Sequence, residues 1–549
     1  MPLFSKRLKQ FVKALVFGWL LFSDVASSVE PKPLESTDWY QVFSEAYSNL
    51  FSEQNSEAKP TTSEDQIMQT TNEKLKGFFE NIIGKENMNN VDTEAARWLN
   101  SFQEGLPDLS SLGIDPSNMP EWNWDAFITK MLPPTNETDT ITTTNKDDEE
   151  IPPECKMTTP EMIRHAGYPC EEHTVETEDG YILTMHRIPH GVSDIGRKGR
   201  GRFRQKRSVV FMQHGLLADS SCWVANGPGE RSLSYVLADL GCDVWLGNVR
   251  GSTYSRAHTT LNADTSEKYW RFSWQHMSEH DIPSMVDKAL QVSGHNNLYY
   301  IGHSQGTLVA FARLAENTEF NQKIKMLFAL GPVTSLANLT SPIKSLVYLN
   351  RPAFLGMSMF GGTEVLPKKA LSQWISAKLH KMQKEQTSDS LGNQIAYQGN
   401  NLMMYLCGVH LEHYYKDRLP VYLSHTPGGT SLQNLLHLSQ MIESGKMQKW
   451  DYWSVKENLD AYGQETPPEY DVCKIKTPIA LFVGHLDQLA HPDDNRLLSQ
   501  KLNSLFYYKV LDDWDHLDFL WGKNAGFIYK KISAIISENE GVTHNVDEL

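Results

Sequence analysis

A chain of 549 residues is longer than one ordinary domain, and 40 % hydrophobic residues with 14 tryptophans describe a globular protein able to bury a sizeable core. Its formal net charge of -16 argues against nucleic acid as a partner, since a polyanion is repelled by such a chain, although acidity names no substrate. The six cysteines have neither the spacing of a zinc site nor that of a redox motif.

The chain opens with Lys6, Arg7, Lys9 and Lys13 ahead of an apolar run, residues 14–22, followed by small residues at Val25-Ala-Ser-Ser28. Residues 1–28 are therefore expected to be a secretory signal peptide, with an uncleaved anchor as the competing reading; the run is too short to span a bilayer comfortably. No later stretch is long and apolar enough to do so, and no stable transmembrane span is expected. Passage into the secretory pathway makes Asn136-Glu-Thr138 and Asn338-Leu-Thr340 expected glycan acceptors. It also permits disulfides among Cys155, Cys170, Cys222, Cys242, Cys407 and Cys473, whose pairing stays open.

Residues 29–150 differ in character from the remainder of the chain. Trp39, Val42, Phe43, Ala46, Tyr47, Leu50 and Phe51 recur at helical spacing, as do Leu75, Phe78, Phe79, Ile82 and Ile83, and again Trp124, Phe127, Ile128, Met131 and Leu132. Their polar faces are acidic, so the expectation is a helical appendage on the main body; a propeptide covering an apolar site is the alternative. The stretch from Pro133 to Glu150 is a linker by composition.

From Cys155 the pattern becomes regular. Glu172 to Arg187 alternates as a hairpin about Gly180. A basic loop ends in Arg204-Gln-Lys-Arg207, the pattern a furin-like protease reads, or else a solvated loop whose charge serves solubility. Buried-type strands come next at 208–213, 243–247, 298–301, 326–331 and 479–484, with helical stretches near 235–240 and 282–292 between them. Strands alternating with helices predict an α/β fold, a mostly parallel sheet flanked by helices.

The most informative stretch is Leu298 to Ala310, which reads strand, turn, helix around Gly302-His303-Ser304-Gln305-Gly306. A serine on so tight a turn needs glycine on both sides, because a Cβ would collide with the neighbouring strand or helix. Such a turn presents the hydroxyl as a nucleophile, and in a fold of this kind its acid and histidine partners come later in the chain, on loops after late strands. Asp487 follows the strand 479–484, and His516 follows the apolar stretch 505–511. Asp493, Asp494, Asp512, Asp513, Asp515 and Asp518 are rivals by proximity, and the position directly after a strand favours Asp487. The two N–H donors for an oxyanion are expected from Gln305 and from Leu216, on the loop after the strand 208–213. Asp513, Asp515 and Asp518 surround His516 in sequence; if they face it they favour the imidazolium and move the working pH toward neutrality.

The motifs His214-Gly-Leu-Leu217, Asp243-Val-Trp-Leu-Gly-Asn-Val-Arg-Gly251, Gly302-His-Ser-Gln-Gly306, Tyr422-Leu-Ser-His-Thr-Pro-Gly-Gly-Thr-Ser431 and His516-Leu-Asp-Phe519 resemble those of the acid lipases, the lysosomal acid lipase and gastric lipase group of the α/β-hydrolase superfamily. The resemblance implies an α/β-hydrolase core at 151–332 and 472–540, a mainly helical cap and lid at 333–471 with no obvious sheet strand, and a tail at 541–549. It implies a triad of Ser304, Asp487 and His516, oxyanion donors Leu216 and Gln305, and hydrolysis of neutral lipid esters at a lipid–water interface with no metal or organic cofactor. A carboxylesterase on short soluble esters and a non-catalytic lipid carrier are the alternatives. The chain departs from the family pattern in its long N-terminal extension and in Cys407, whose sequence neighbourhood offers no second cysteine for a cap disulfide. The ending Val546-Asp-Glu-Leu549 resembles a degenerate retrieval signal, or is an accidental tail.

Overall fold

In the computed structural model the described residues are 152–194, 207–341, 344, 364–365, 407 and 410–541. Residues 1–28, residues 29–150 with Asn136 among them, the basic residues Arg204 and Lys206, nearly all of 342–409 and the final residues 542–549 lie outside them.

Alternation of side chains along short central strands, buried along their whole length, builds the core. The strands are β1 (Glu171–Glu176), β2 (Tyr181–Ile188), β3 (Val209–Gln213), β4 (Asp243–Gly247), β5 (Leu298–His303), β6 (Ile324–Leu330), β7 (Ile479–Gly484) and β8 (Leu505–Leu511). They lie in one sheet in the order β1-β2-β4-β3-β5-β6-β7-β8, with the short strand Ala257–His258 added against β2. The pairs from β4 onward to β8 are parallel, while β2 runs antiparallel to both of its neighbours, β1 and β4. Both faces must be covered, because each central strand is buried along its whole length. Phe211, Trp245, Tyr300, Leu327 and Leu481 pack on one face with helices α3 (Ile282–Ser293) and α4 (Gln305–Glu316). Their neighbours Met212, Val244, Ile301, Phe328 and Phe482 point the other way, toward α2 (Leu233–Asp239) and α8 (Gly526–Asn539).

The predicted strands thus form, and the 298–301 strand runs on to His303, which brings it to the edge of the turn. Between β6 and β7 the described chain is chiefly helical, including α5 (Leu419–His425) and α6 (Leu432–Ser444). Contrary to the reading of this region as free of strands, Glu364–Val365 pairs antiparallel with Thr430–Ser431. Two-residue strands carry too few residues for an alternation to be visible in sequence. All six cysteines are described and none is disulfide-bonded. Among the described residues no helix is long and apolar enough to cross a membrane.

Arg250, in the motif after β4, is the chief buried cation. Its guanidinium bonds Asp281 Oδ1 (2.7 Å from Nε) and both oxygens of Asp179 (2.6 and 2.9 Å), and stands 3.9 Å over the ring of Tyr181. Burial alone would raise the Asp179 carboxyl, but the Arg250 contacts outweigh it and hold it at about 2, against an ordinary 3.8. Removing the guanidinium strands the fully buried Asp281. Arg250→Leu is therefore expected to cost roughly 3–5 kcal/mol of stability in chemical denaturation at pH 7. Because the Asp179 value is depressed on folding, its share of that stability is present above the ordinary carboxylate range and lost as pH falls toward 2. Stability measured between pH 5 and 2 should accordingly decline less steeply in the variant.

Candidate active site

The site is assembled at the carboxyl ends of β3, β5, β6, β7 and β8. Ser304 sits between β5 and α4 with φ 53 and ψ -123, a backbone conformation that costs a non-glycine residue roughly 1–3 kcal/mol. The turn survives because its neighbours have no side chain. A Cβ on Gly302 would lie 2.8 Å from the backbone of Gly306, and one on Gly306 would lie 2.3 Å from the Gln213 carbonyl. Thr307 fastens the turn by donating from Oγ1 (2.7 Å) and N–H (2.8 Å) to the Ser304 carbonyl. Ser304 is half-buried, and Gln305, the first residue of α4, has an N–H that no helical carbonyl accepts.

The other strained loop faces it. After β3 the chain turns at Gly215, where the Ala218 N–H reaches the Gly215 carbonyl at 3.4 Å, with Leu216 and Leu217 at the bend and Leu217 at φ 55. A Cβ on Gly215 would meet Ser304 Cβ at 2.9 Å, so the turn bearing Leu216 passes directly against the serine. His214 braces it from below, donating Nδ1–H to the Gly215 carbonyl (2.8 Å) and accepting from the Val249 N–H (3.4 Å) at Nε2. Burial holds this imidazole below its ordinary value and hence neutral.

Asp487 and His516 meet at 2.8 Å, Oδ2 to Nδ1, and both are buried. The second carboxylate oxygen accepts from the N–H groups of Leu489 (2.9 Å) and Ala490 (2.7 Å). Burial would raise this carboxyl, but His516 and the two N–H groups outweigh it and leave it lowered, so Asp487 is ionised and fixes the imidazole proton on Nδ1. That leaves Nε2 as the basic nitrogen. Gly331, at φ 54, forms the floor of the pair: a Cβ there would touch Asp487 Oδ2 and His516 Nδ1, each at 3.3 Å. The Ser304 N–H donates to the adjoining Leu330 carbonyl at 3.0 Å, tying the turn to the same strand end. His303 completes the connection. Burial pushes its imidazole down to about 3, and the neutral ring donates Nε2–H to the His516 carbonyl at 2.8 Å.

Of the rival carboxylates, Asp512, Asp513 and Asp493 are exposed, and Asp494 accepts from Asn338. Asp515 and Asp518 are buried and bond the segment His410–Tyr414, so their hydrogen bonds do not meet the condition on which the expectation of a working pH nearer neutrality depends. Adjacent residues of a tight turn point to different sides, so closeness in sequence carried no information here. Asn338 is exposed, and its Nδ2 donates to Asp494 Oδ1 at 2.9 Å. Arg207 begins the described chain just before β3.

Two residues with a place in this site escaped the sequence reading. Asn434, in the first turn of α6, donates to Gln305 Oε1 (2.9 Å) and accepts from the Trp274 N–H (2.7 Å), fixing the residue after Ser304. Gly428 donates its N–H to the Leu217 carbonyl at 2.6 Å, and a Cβ on it would lie 2.7 Å from the Ala218 carbonyl. The glycine pair Gly428-Gly429 was the available signal for such a close approach.

A strained serine between a strand and a helix, backed by a buried carboxylate–imidazole pair on the loops after β7 and β8, defines a serine hydrolase of the α/β-hydrolase fold. The match to the model of that fold covers residues 208–523, and a partial α/β-hydrolase lipase region matches 159–227. The chain is 40 % identical over 385 residues to human lysosomal acid lipase/cholesteryl ester hydrolase, covering 70 % of this chain and 91 % of that protein. Gastric triacylglycerol lipase of Rattus norvegicus is 37 % identical over 388 residues (70 % and 93 %), and lipase member K of Mus musculus 39 % over 373 residues (68 % and 89 %). The chain belongs to the acid lipase family of α/β hydrolases.

Gly306→Ala is the sharpest test of the turn. Since the added carbon meets backbone at 2.3 Å, the loss of stability is expected at or above about 3 kcal/mol, the upper end of ordinary overpacking. Thermal unfolding measures it; a variant as stable as the parent would mean that the helix can slide away from β3.

Proposed function

We propose that this protein is a lipase that hydrolyses triacylglycerols or steryl esters through an acyl-enzyme on Ser304, the observation that carries the reading being the Asp487–His516 pair at 2.8 Å behind the strained serine turn. Ser304 Oγ attacks the ester carbonyl carbon while His516 Nε2 takes the hydroxyl proton, and Asp487 stabilises the imidazolium. The tetrahedral oxyanion is held by the N–H groups of Leu216 and Gln305. Collapse of the intermediate breaks the ester bond, and His516 returns the proton to the departing alcohol. Water then repeats the sequence on the acyl-enzyme and releases the fatty acid. None of these steps calls for a metal or organic cofactor.

The preference for lipid esters rests on kinship with lysosomal and gastric lipases. It is supported by a helical segment between β6 and β7, assigned as a cap over residues 333–471, able to shelter an acyl chain. The same kinship and residues 1–28 support passage through the secretory pathway, to the lysosome or the outside, with Asn136 and Asn338 as glycan acceptors. Arg204, Lys206 and Arg207 form a processing site on this reading, and residues 29–150 an appendage.

Ser304→Ala and His516→Ala should each lower kcat by about 10⁴- to 10⁶-fold on emulsified long-chain triacylglycerol, with Asp487→Ala less severe. Near-normal turnover in either of the first two refutes the mechanism. Wild-type activity confined to short soluble esters refutes the lipid preference and leaves an esterase.

A further inference from the structure

The segment after Cys407 crosses the loop that carries His516 and sets two histidines against two carboxylates. His410 leads directly into the short turn Leu411–His413, and spacing of three brings its ring alongside that of His413, with centroids 5.3 Å apart at 27°. Facing them are Asp515 and Asp518, both buried, one on each side of His516 in sequence. His410 Nδ1 lies 3.4 Å from Asp515 Oδ2, and His413 Nδ1 lies 3.0 Å from Asp518 Oδ2. One donor atom from each of His410, His413 and Asp515 falls within 4.8 Å of the other two.

The carboxylates are fixed by further bonds. Asp515 Oδ1 accepts from the Tyr414 hydroxyl and the Leu517 N–H (2.9 Å), and Oδ2 from the His410 N–H (2.9 Å). Asp518 Oδ2 accepts from the Asp515 N–H at 2.7 Å. Outer partners of this kind are what orient ligands in metal sites. The carboxylates of Asp515 and Asp518 share one buried corner beside the two imidazoles, and a divalent cation would balance their charge.

We propose that His410, His413 and Asp515, with Asp518 as an outer partner bonded to His413 and to the Asp515 N–H, bind a zinc-like divalent ion that ties this segment to the loop of His516. Two imidazoles with carboxylate oxygens suit zinc, whereas magnesium and calcium favour oxygen alone. Ligands about 2.0–2.2 Å from a tetrahedral zinc stand roughly 3.3–3.5 Å apart, so the cluster needs side-chain adjustments of only about 1 Å to close. The histidine side chains are 38 % and 26 % exposed, which leaves the ion a path from solvent. The ion is structural: no step of ester hydrolysis runs through it, and the proposal stands whether or not the lipase reading does.

The test uses the full chain, stripped with a chelator and titrated with ZnCl₂ near neutral pH by calorimetry, with thermal unfolding beside it and MgCl₂ as control. One zinc per chain and a rise in the unfolding midpoint with zinc, but not with magnesium, are expected. His410→Gln/His413→Gln should weaken binding at least ~100-fold, since loss of an outer partner alone costs roughly 10–100-fold. Should that pair unfold, His410→Gln alone should weaken it at least ~10-fold. Absence of stoichiometric zinc binding in the wild type overturns the proposal, leaving hydrogen-bonded histidine–aspartate pairs. Unchanged affinity in the folded variant also overturns it, and would place the zinc among the other histidines of the chain.

Discussion

The approach of α4 to the end of β3, with Gly306 packed on the Gln213 carbonyl, is the constraint from which the rest of the site follows. A helix can begin so close to a strand only if its first turn lacks side chains there, and only if the residue before it accepts a left-handed backbone. Ser304 accepts it, at φ 53. Its strain is offset by the parallel ladder of β3, β5 and β6, each pair of which stabilises the position of a strand end and none of which could shift without unpairing its neighbours. The start of α4 also brings its positive dipole end and the Gln305 N–H to where an oxyanion would form. One steric fact therefore supplies exposure, strain and electrostatics together.

A site on loops needs those loops held, and the chain between β6 and β7 does part of the holding. The stretch from Tyr422 to Asn434 returns to the core twice: Gly428 binds the turn bearing Leu216, and Asn434 binds the side chain of Gln305. The two donors assigned to the oxyanion are thereby supported by one continuous segment. Movement of that segment would reach the turn bearing Leu216 and the side chain of Gln305 at once.

Much of this was legible in the sequence because it depends on local rules. The strands are runs of buried residues bounded by turns, and β4 and β7 form over the residues their apolar runs delimit. Gly302 and Gly306 announce a turn that tolerates no Cβ, and a carboxylate directly after β7 has few ways to point except toward the edge of the sheet. What was not legible depends on contacts across the chain. Asn434 lies 129 residues from Gln305, and nothing in its neighbourhood distinguishes it from a residue capping a helix. The short pair Glu364–Val365 with Thr430–Ser431 has no period to detect. Cys407 has no partner for a disulfide, in keeping with the lack of a nearby cysteine in sequence.

The carboxylates around His516 show why local charge counting fails at such a site. Asp487 is 29 residues away and accepts the hydrogen bond from Nδ1, while Asp515, adjacent to the histidine, serves Tyr414 and His410 on the opposite side of the loop. The turn divides its anions between two tasks. One carboxylate, reached through β7, fixes the proton of the imidazole; the other two anchor the backbone that carries it. An imidazole held only by Asp487 could tilt about that bond. Holding the backbone through Asp515 and Asp518, with the His303 ring on the His516 carbonyl, removes that freedom. The position of His516 Nε2 is then set by hydrogen bonds on both sides of the loop, and the orientation of this imidazole becomes a property of the fold rather than of one contact.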